Sequence, residues 1–175
     1  MKFEETKLSG AFVIDLQRME DSRGFFARAF CRKEFAAQGL NPAVAQCNTS
    51  FNREAGTLRG MHYQVEPFRE AKLVRCTSGA IHDVIIDLRP ASPTYREWAG
   101  FELSAENRRT LYVPEGFAHG YLTLAIDTEV FYQVSEFYNP GHERGIRWND
   151  PAFAINWPIA PRNISPKDAN HPDFA

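Results

Sequence analysis

The chain has 175 residues, 43% of them hydrophobic, with 20 basic residues against 22 acidic ones. That length suits a single domain over residues 1–175, which buries about two-thirds of its unfolded surface and needs neither a disulfide nor a metal to staple it. The arginines are scattered among acids and aromatics instead of forming a stripe, which argues against a nucleic-acid partner, and no apolar run is long enough to cross a bilayer.

The opening MKFEETKLSG holds no apolar signal core, so a cytoplasmic protein is expected. Cys31, Cys47 and Cys76 lie within apolar strand patterns, lack metal-ligand spacing and are read as small buried thiols. AFVIDL at 11–16 predicts a short strand, EDSRG at 20–24 a turn, and FFARAF a second strand on which Phe26 and Arg28 share a face. Arg23 sits in the turn. Arg23 and Arg28 are candidate anion contacts, with a solvated sheet edge as the plainer reading. RKEFAAQG at 32–39 reads as a short helix anchored by Phe35 and ended by Gly39. The next strand places the amides of Gln46 and Asn48 on one face.

Residues 56–76, GTLRGMHYQVEPFREAKLVRC, carry the chemistry. They read as a hairpin: a strand over 57–64, an insert around Pro67, and a return strand over 72–77 lying beside the first. Such a hairpin gathers Arg59, His62 and Lys72. An imidazole that takes a proton near neutral pH, next to an ammonium that stabilises an anion, suits proton abstraction beside a carbonyl. A half-buried histidine bonded to a carbonyl is the plainer alternative for His62. Strand alternation would send Arg59 and His62 to opposite faces, so an irregularity is predicted at Gly60. A metal is not expected, because a barrel metal site would alternate histidines, and Gln64 stands two residues after His62.

AIHDVIIDLR at 80–89 places His82, Val84, Ile86 and Leu88 on one face, where His82 reads as packing, and Asp83 and Asp87 on the other. WAGFELS is a strand, AENRR a polar corner, and TLYVPEGFAHGYLTLA two strands joined at Pro114–Gly116, with His119 sharing the face of Phe117 and Tyr121. TEVFYQVSEFY at 128–138 gives Tyr132 and Tyr138 one parity, so both tyrosines are expected to line one cavity at different depths. They are either proton donors or core phenols with satisfied hydroxyls. WNDPAFAINWP predicts irregular packing around Trp148 and Trp157. SPKDANHP predicts a helical turn capped by Ser165 with Pro166 first, so that Asp168 either favours the helix N-terminus or orients His62. Many short strands with Gly and Pro corners describe an all-β jelly roll, a cupin-like double-stranded β-helix, able to hold a ligand between its sheets. The open edges suggest a homodimer.

Several motifs in one order, DSRGFF, QCNTS, LRGMHYQ, AKLVR, GAIHDVIIDLR, LSAENRR, VPEGFAHGY, FYQVSEFYNP, WNDP, WP and SPKDA, resemble the dTDP-4-dehydrorhamnose 3,5-epimerase family from about Leu8 to the SPKD turn. The resemblance implies a cofactor-free epimerase of a nucleoside-diphosphate 4-keto-6-deoxyhexose. It implies His62 as base, Tyr132 as acid, Lys72 as the cation beside the C4 oxygen and Asp168 as partner of the base. It places Arg23, Phe26, Arg28, Gln46, Cys47, Asn48, Arg59, His119, Glu143 and Lys167 at substrate-contact positions and Tyr138 where the base stacks. Where the family usually has a glutamate, this chain has Arg28, whose guanidinium only donates, so the preferred base could differ from thymine. The alternatives are a single-position epimerase, a ketosugar isomerase or a sugar-nucleotide binding module.

Overall fold

Short β-branched and aromatic runs cut by glycine and proline corners fold as many short strands and two helical turns. The computed structural model describes residues 1–174. In chain order the elements are β1 (Lys2–Glu5), β2 (Phe12–Asp15), β3 (Met19–Asp21), β4 (Gly24–Phe26), α1 (Arg32–Ala37), β5 (Gln46–Asn52), β6 (Thr57–Gln64), β7 (Lys72–Ser78), β8 (Ala80–Asp87), β9 (Trp98–Ser104), β10 (Thr110–Val113), β11 (Phe117–Thr123), β12 (Thr128–Val134), β13 (Glu143–Gly145), β14 (Asn163–Ile164) and α2 (Pro166–Ala169).

Two antiparallel sheets face one another, one ordered β1-β2-β10-β7-β12-β5 and the other β13-β6-β11-β8-β9, with β14 added parallel to β6. The jelly roll expected from the sequence is therefore observed. Between the sheets lies a core built from both, including Val74, Leu111 and Val130 from the first and Ile81, Ile85, Leu103 and Phe117 from the second. A second cluster packs α1, through the fully buried Phe35, under the outside of the first sheet with Ile14, Leu73 and Tyr112. A third covers the outside of the second sheet, where Val84, Ile86 and Met61 meet Ile146, Phe153 and the partly buried Trp157. The predicted faces of β8 hold: Val84 and Ile86 point outward, and the His82 ring packs near Trp157, 6.1 Å between centroids. The Trp157 indole donates to the Trp148 carbonyl at 3.0 Å, which ties the irregular segment together.

The hairpin expected over 56–76 does not form. β6 lies between β13 and β11 in one sheet, whereas β7 lies between β10 and β12 in the other. Residues 65–71 cross from sheet to sheet, and the crossing is pinned by the Gln64 amide, which donates to the Phe68 carbonyl at 2.9 Å and to Glu70 at 3.3 Å. Strands paired in one sheet sit about 5 Å apart, while facing sheets sit about 10 Å apart. The crossover thus puts a cavity between His62 and Lys72 instead of a shared ladder.

Of the cysteines, Cys76 is buried as expected, but Cys47 is exposed and Cys31 only partly covered. Alternation on the edge strand β5 turns Cys47 outward while its neighbours Gln46 and Asn48 turn inward. Cys31 precedes α1 and does not lie in a strand.

Candidate functional site

The irregularity predicted at Gly60 is present and sets the site. His62 pairs opposite His119, and Arg59 opposite Tyr121, so β6 spends three steps where β11 spends two. Residues directly opposite one another point to the same side, and His119 and Tyr121 share a face. The extra residue therefore brings Arg59 and His62 onto that one face. Gly60 has φ +136, a region closed to most L residues, and a Cβ there would lie 2.5 Å from the Gly120 Cα. Two glycines in contact thus make the bulge possible.

The cavity between the sheets has two lobes of about 300 and 310 Å³. Both are lined by His62, Lys72 and Tyr132, so these three side chains mark the junction. One lobe continues past Gln46, Asn48, Tyr138 and Glu143, the other past Arg59, His119 and Lys167.

On the His62 side, Nε2 meets the Asp168 Oδ1 at 2.7 Å. The capped turn delivers that carboxylate as expected: Ser165 is the N-cap, Pro166 is first, and the Asp168 backbone amide donates to the Ser165 hydroxyl at 3.1 Å. Its other oxygen accepts from the Gly60 amide at 3.3 Å, which ties the bulge to the helical turn. Burial alone would raise the Asp168 carboxyl, but the hydrogen bond and charge of His62, the Gly60 amide and the nearby His171 outweigh it and hold it below the usual range. Asp168 is therefore a carboxylate at neutral pH, and its bond fixes the His62 tautomer with the proton on Nε2 and the lone pair on Nδ1.

Across the junction, Lys72 opens β7 with its ammonium 3.2 Å from Glu70, both side chains about nine-tenths buried. Tyr132 sits mid-strand on β12. Burial pushes its phenol above the ordinary value, with Tyr121 and Glu70 adding and Arg59 opposing, so it stays protonated and able to donate. In the second lobe, Arg59 donates to the Asn52 amide oxygen at 2.8 Å, and His119 bonds the fully buried Asp83 at 2.9 Å. At the mouth, Glu143 accepts from the Tyr138 hydroxyl at 2.9 Å and also pairs with Lys167. Those bonds raise Tyr138 and Lys167. In Glu143 burial pushes upward, but the same two partners prevail and lower it.

Tyr138 reaches the cavity as expected, though not by strand parity, since β12 ends at Val134 and a loop carries it there. Four residues expected at the site stay out of the cavity in the single chain. Cys47 points away, for the reason given. Arg23 pairs with Asp21 at 2.6 Å in the exposed β3–β4 turn, and Phe26 on that hairpin is 65% exposed. Arg28 lies beyond the end of β4, so it shares no strand face with Phe26, and it pairs with Glu34 at 3.1 Å. Conversely, His171, Glu70, Asp83 and Tyr121 join the site or its support without having been singled out. Of these, the sequence hinted only at Tyr121, through the face it shares with His119, and at His171, through the capped turn before it.

A jelly-roll cavity in which a carboxylate-backed imidazole faces an ammonium and a neutral phenol defines an acid–base isomerase. The family model for dTDP-4-dehydrorhamnose 3,5-epimerase matches residues 5–175. A dTDP-4-dehydrorhamnose 3,5-epimerase of Sinorhizobium fredii is 43% identical, with 99% of this chain and 90% of the relative covered. Among solved structures, the Bacillus anthracis dTDP-4-dehydrorhamnose 3,5-epimerase with TDP and PPi bound is 42% identical with a TM-score of 0.94, 99% of each chain being covered. The Elizabethkingia anophelis enzyme of the same name gives a TM-score of 0.97 at 39% identity, covering 99% of this chain and 96% of that one. The chain belongs to the dTDP-4-dehydrorhamnose 3,5-epimerase family, and it is an epimerase.

Proposed function

We propose that this protein, acting as one domain over residues 1–175, inverts C3 and C5 of dTDP-4-dehydro-6-deoxyglucose to give dTDP-4-dehydro-L-rhamnose, without a cofactor. The observation that carries the reading is the meeting of the His62–Asp168 pair, Lys72 and Tyr132 where the two lobes join. The substrate's C4 ketone acidifies the hydrogens on C3 and C5. Nδ1 of His62 removes one as a proton, the electron pair passes into an enolate, and the Lys72 ammonium holds the oxygen charge. Preorganised stabilisation of this type contributes about 2.7–4 kcal/mol, and a positioned base about 10² to 10⁴-fold. Inversion requires the proton to return from the opposite face, and Tyr132 on the facing sheet supplies it. Solvent then restores the phenol and clears the imidazolium, so nothing is oxidised or reduced.

Arg59 and Lys167 bind the diphosphate, His119 contacts the substrate from the same lobe, and Gln46, Asn48, Glu143 and Tyr138 hold the rest of the nucleotide. A homodimer completes the site: the β3–β4 hairpin, with Met19 and Phe26 exposed, carries Arg23, Phe26 and Arg28 to the partner subunit's cavity. The support is an outlying hairpin with apolar side chains in solvent and β5 left as an open sheet edge. Arg28, held against Glu34, would meet the base with a donor and a neighbouring acceptor. Its nucleotide-sugar substrate places the enzyme in the cytoplasm; separately, the described residues contain no helix long and apolar enough to cross a membrane.

The test is proton NMR of dTDP-4-dehydro-6-deoxyglucose with the protein in deuterated water, with and without chelator. Deuterium entering both C3 and C5 is expected. Label at one carbon alone would make the enzyme a single-position epimerase, and binding without exchange would refute the reaction.

A further inference from the structure

His171 lies in the segment after α2, which is pinned just beyond it at two places. The Arg147 amide donates to the Pro172 carbonyl at 3.1 Å, and the Phe174 amide to an Asp150 oxygen at 2.6 Å. Held this way, the imidazole stands edge-on to His62, 5.6 Å between centroids and 79° between planes. Its Nε2 is 3.6 Å from the Asp168 Oδ1 that His62 also addresses, too far for a hydrogen bond. Among the described residues that buried nitrogen has no hydrogen-bond partner, in a side chain only 11% exposed. The slot exists because residue 145 is glycine, since a Cβ there would fall 2.3 Å from the ring. His171 lines neither lobe of the cavity, so it stands behind the base.

One ligating atom from each of His62, Asp168 and His171 lies within 4.8 Å of the others. Three atoms so placed share a point within about 2.8 Å of all of them, so bonds of roughly 2.0–2.2 Å to zinc need shifts of under about 1 Å. Two imidazoles and a carboxylate form a borderline donor set suited to zinc and its near relatives, with a position left for water. An orphaned imidazole nitrogen turned toward a carboxylate is also what such an ion would satisfy.

We propose that His62, Asp168 and His171 form an inhibitory site for zinc-type divalent cations, distinct from any requirement of the reaction. The inference rests on His62 acting as the base through Nδ1. A neutral imidazole carries one proton. A metal bonded to Nε2 forces that proton onto Nδ1, and the lone pair that removes the substrate hydrogen is gone. The ion also takes the place of the His62–Asp168 hydrogen bond. Because it binds behind the base, the cavity stays open to the nucleotide sugar, so zinc acts on kcat and leaves KM in place.

The test has two arms. Cobalt(II) is added to the intact protein and its visible ligand-field absorption recorded. One equivalent per chain is expected, displaced by zinc and lost in His171→Asn and His171→Gln. This arm needs no turnover, so it separates failure of the metal site from failure of the catalytic assignment. In the second arm, epimerisation is followed with and without zinc, and the ratio of the two rates is compared between wild type and each variant. The wild type should lose at least tenfold in kcat at constant KM and recover with chelator, whereas the variants should keep nearly the same rate with zinc as without. Absence of a cobalt spectrum in wild type, equal zinc sensitivity in the variants, or inhibition competitive with the nucleotide sugar would each overturn the proposal.

Discussion

Replacing Asp168 by asparagine tests the proposed base, because it isolates the charge behind His62. The side chain is 6% exposed and nearly isosteric with the amide, whose single oxygen can serve either His62 or the Gly60 amide but not both. The helical turn should survive, because its bond to Ser165 comes from the backbone of residue 168 and not from the side chain. What disappears is a carboxylate 2.7 Å from the imidazole that becomes cationic when His62 takes a proton. A hydrogen bond to a charged partner contributes about 1.5–3 kcal/mol, and with a factor of ten for each 1.4 kcal/mol this becomes a loss of roughly 10- to 150-fold in kcat. If the new amide turns its NH₂ toward His62, the tautomer reverses and the loss grows toward about 10⁴-fold, the size seen when a buried aspartate behind a catalytic histidine is amidated. Deuterium incorporation at C3 and C5 measures the rate, and titration calorimetry with dTDP measures binding, which should be unchanged within about twofold. A variant with kcat within threefold of wild type, or one that exchanges normally but no longer binds dTDP, would refute the reasoning.

Three further outcomes follow from the same structure. Tyr132→Phe should cut inversion by about 10² to 10⁴-fold while solvent exchange at the same carbon persists, since His62 can still remove and return a proton on its own face; equal loss of exchange and inversion would deny the phenol its role as opposing acid. Gly60→Ala must displace the Gly120 backbone from a 2.5 Å approach and adopt a φ of +136, so it should destabilise the fold by about 2–5 kcal/mol, and a melting temperature within 2 °C of wild type, roughly 1 kcal/mol or less, would count against the bulge. Asp87 is fully buried, and although burial pushes its carboxyl upward, bonds from Arg89, Ser92 and Thr94 prevail and lower it. A carboxyl whose folded pKa lies below its unfolded value adds stability above that unfolded value, near 3.8, and loses it as pH falls through the folded one. Asp87→Ala should therefore cost about 3–5 kcal/mol at neutral pH in denaturant titrations, with the gap to wild type narrowing below pH 4; a gap independent of pH would contradict this.

Local chemistry was legible along the chain. The Ser165–Pro166 start of α2 specifies where Asp168 emerges, because a cap and a proline act over three or four residues whatever surrounds them. Gly60 marked its own irregularity, since Arg59 and His62 could share a face only if the strand gained a residue. Alternation likewise put Gln46 and Asn48 on one face of their strand and Val84 and Ile86 on one face of theirs, and the order of the motifs carried the family. Alternation says which face a residue takes, however, and not which sheet its strand joins. β6 and β7 are adjacent in sequence, yet the core closes only when they lie in opposite sheets, and this turns a presumed ladder between His62 and Lys72 into the two walls of a cavity. Contacts closed by the fold over long separations were likewise decided only in three dimensions. The pairing of His119 with Asp83 and the placing of His171 behind His62 and Asp168 each depend on a register or a pinned tail that no local preference encodes. The exposure of Cys47 belongs with them: its position in an apolar pattern suggested burial, but it sits on the outer face of an edge strand that the described residues leave exposed.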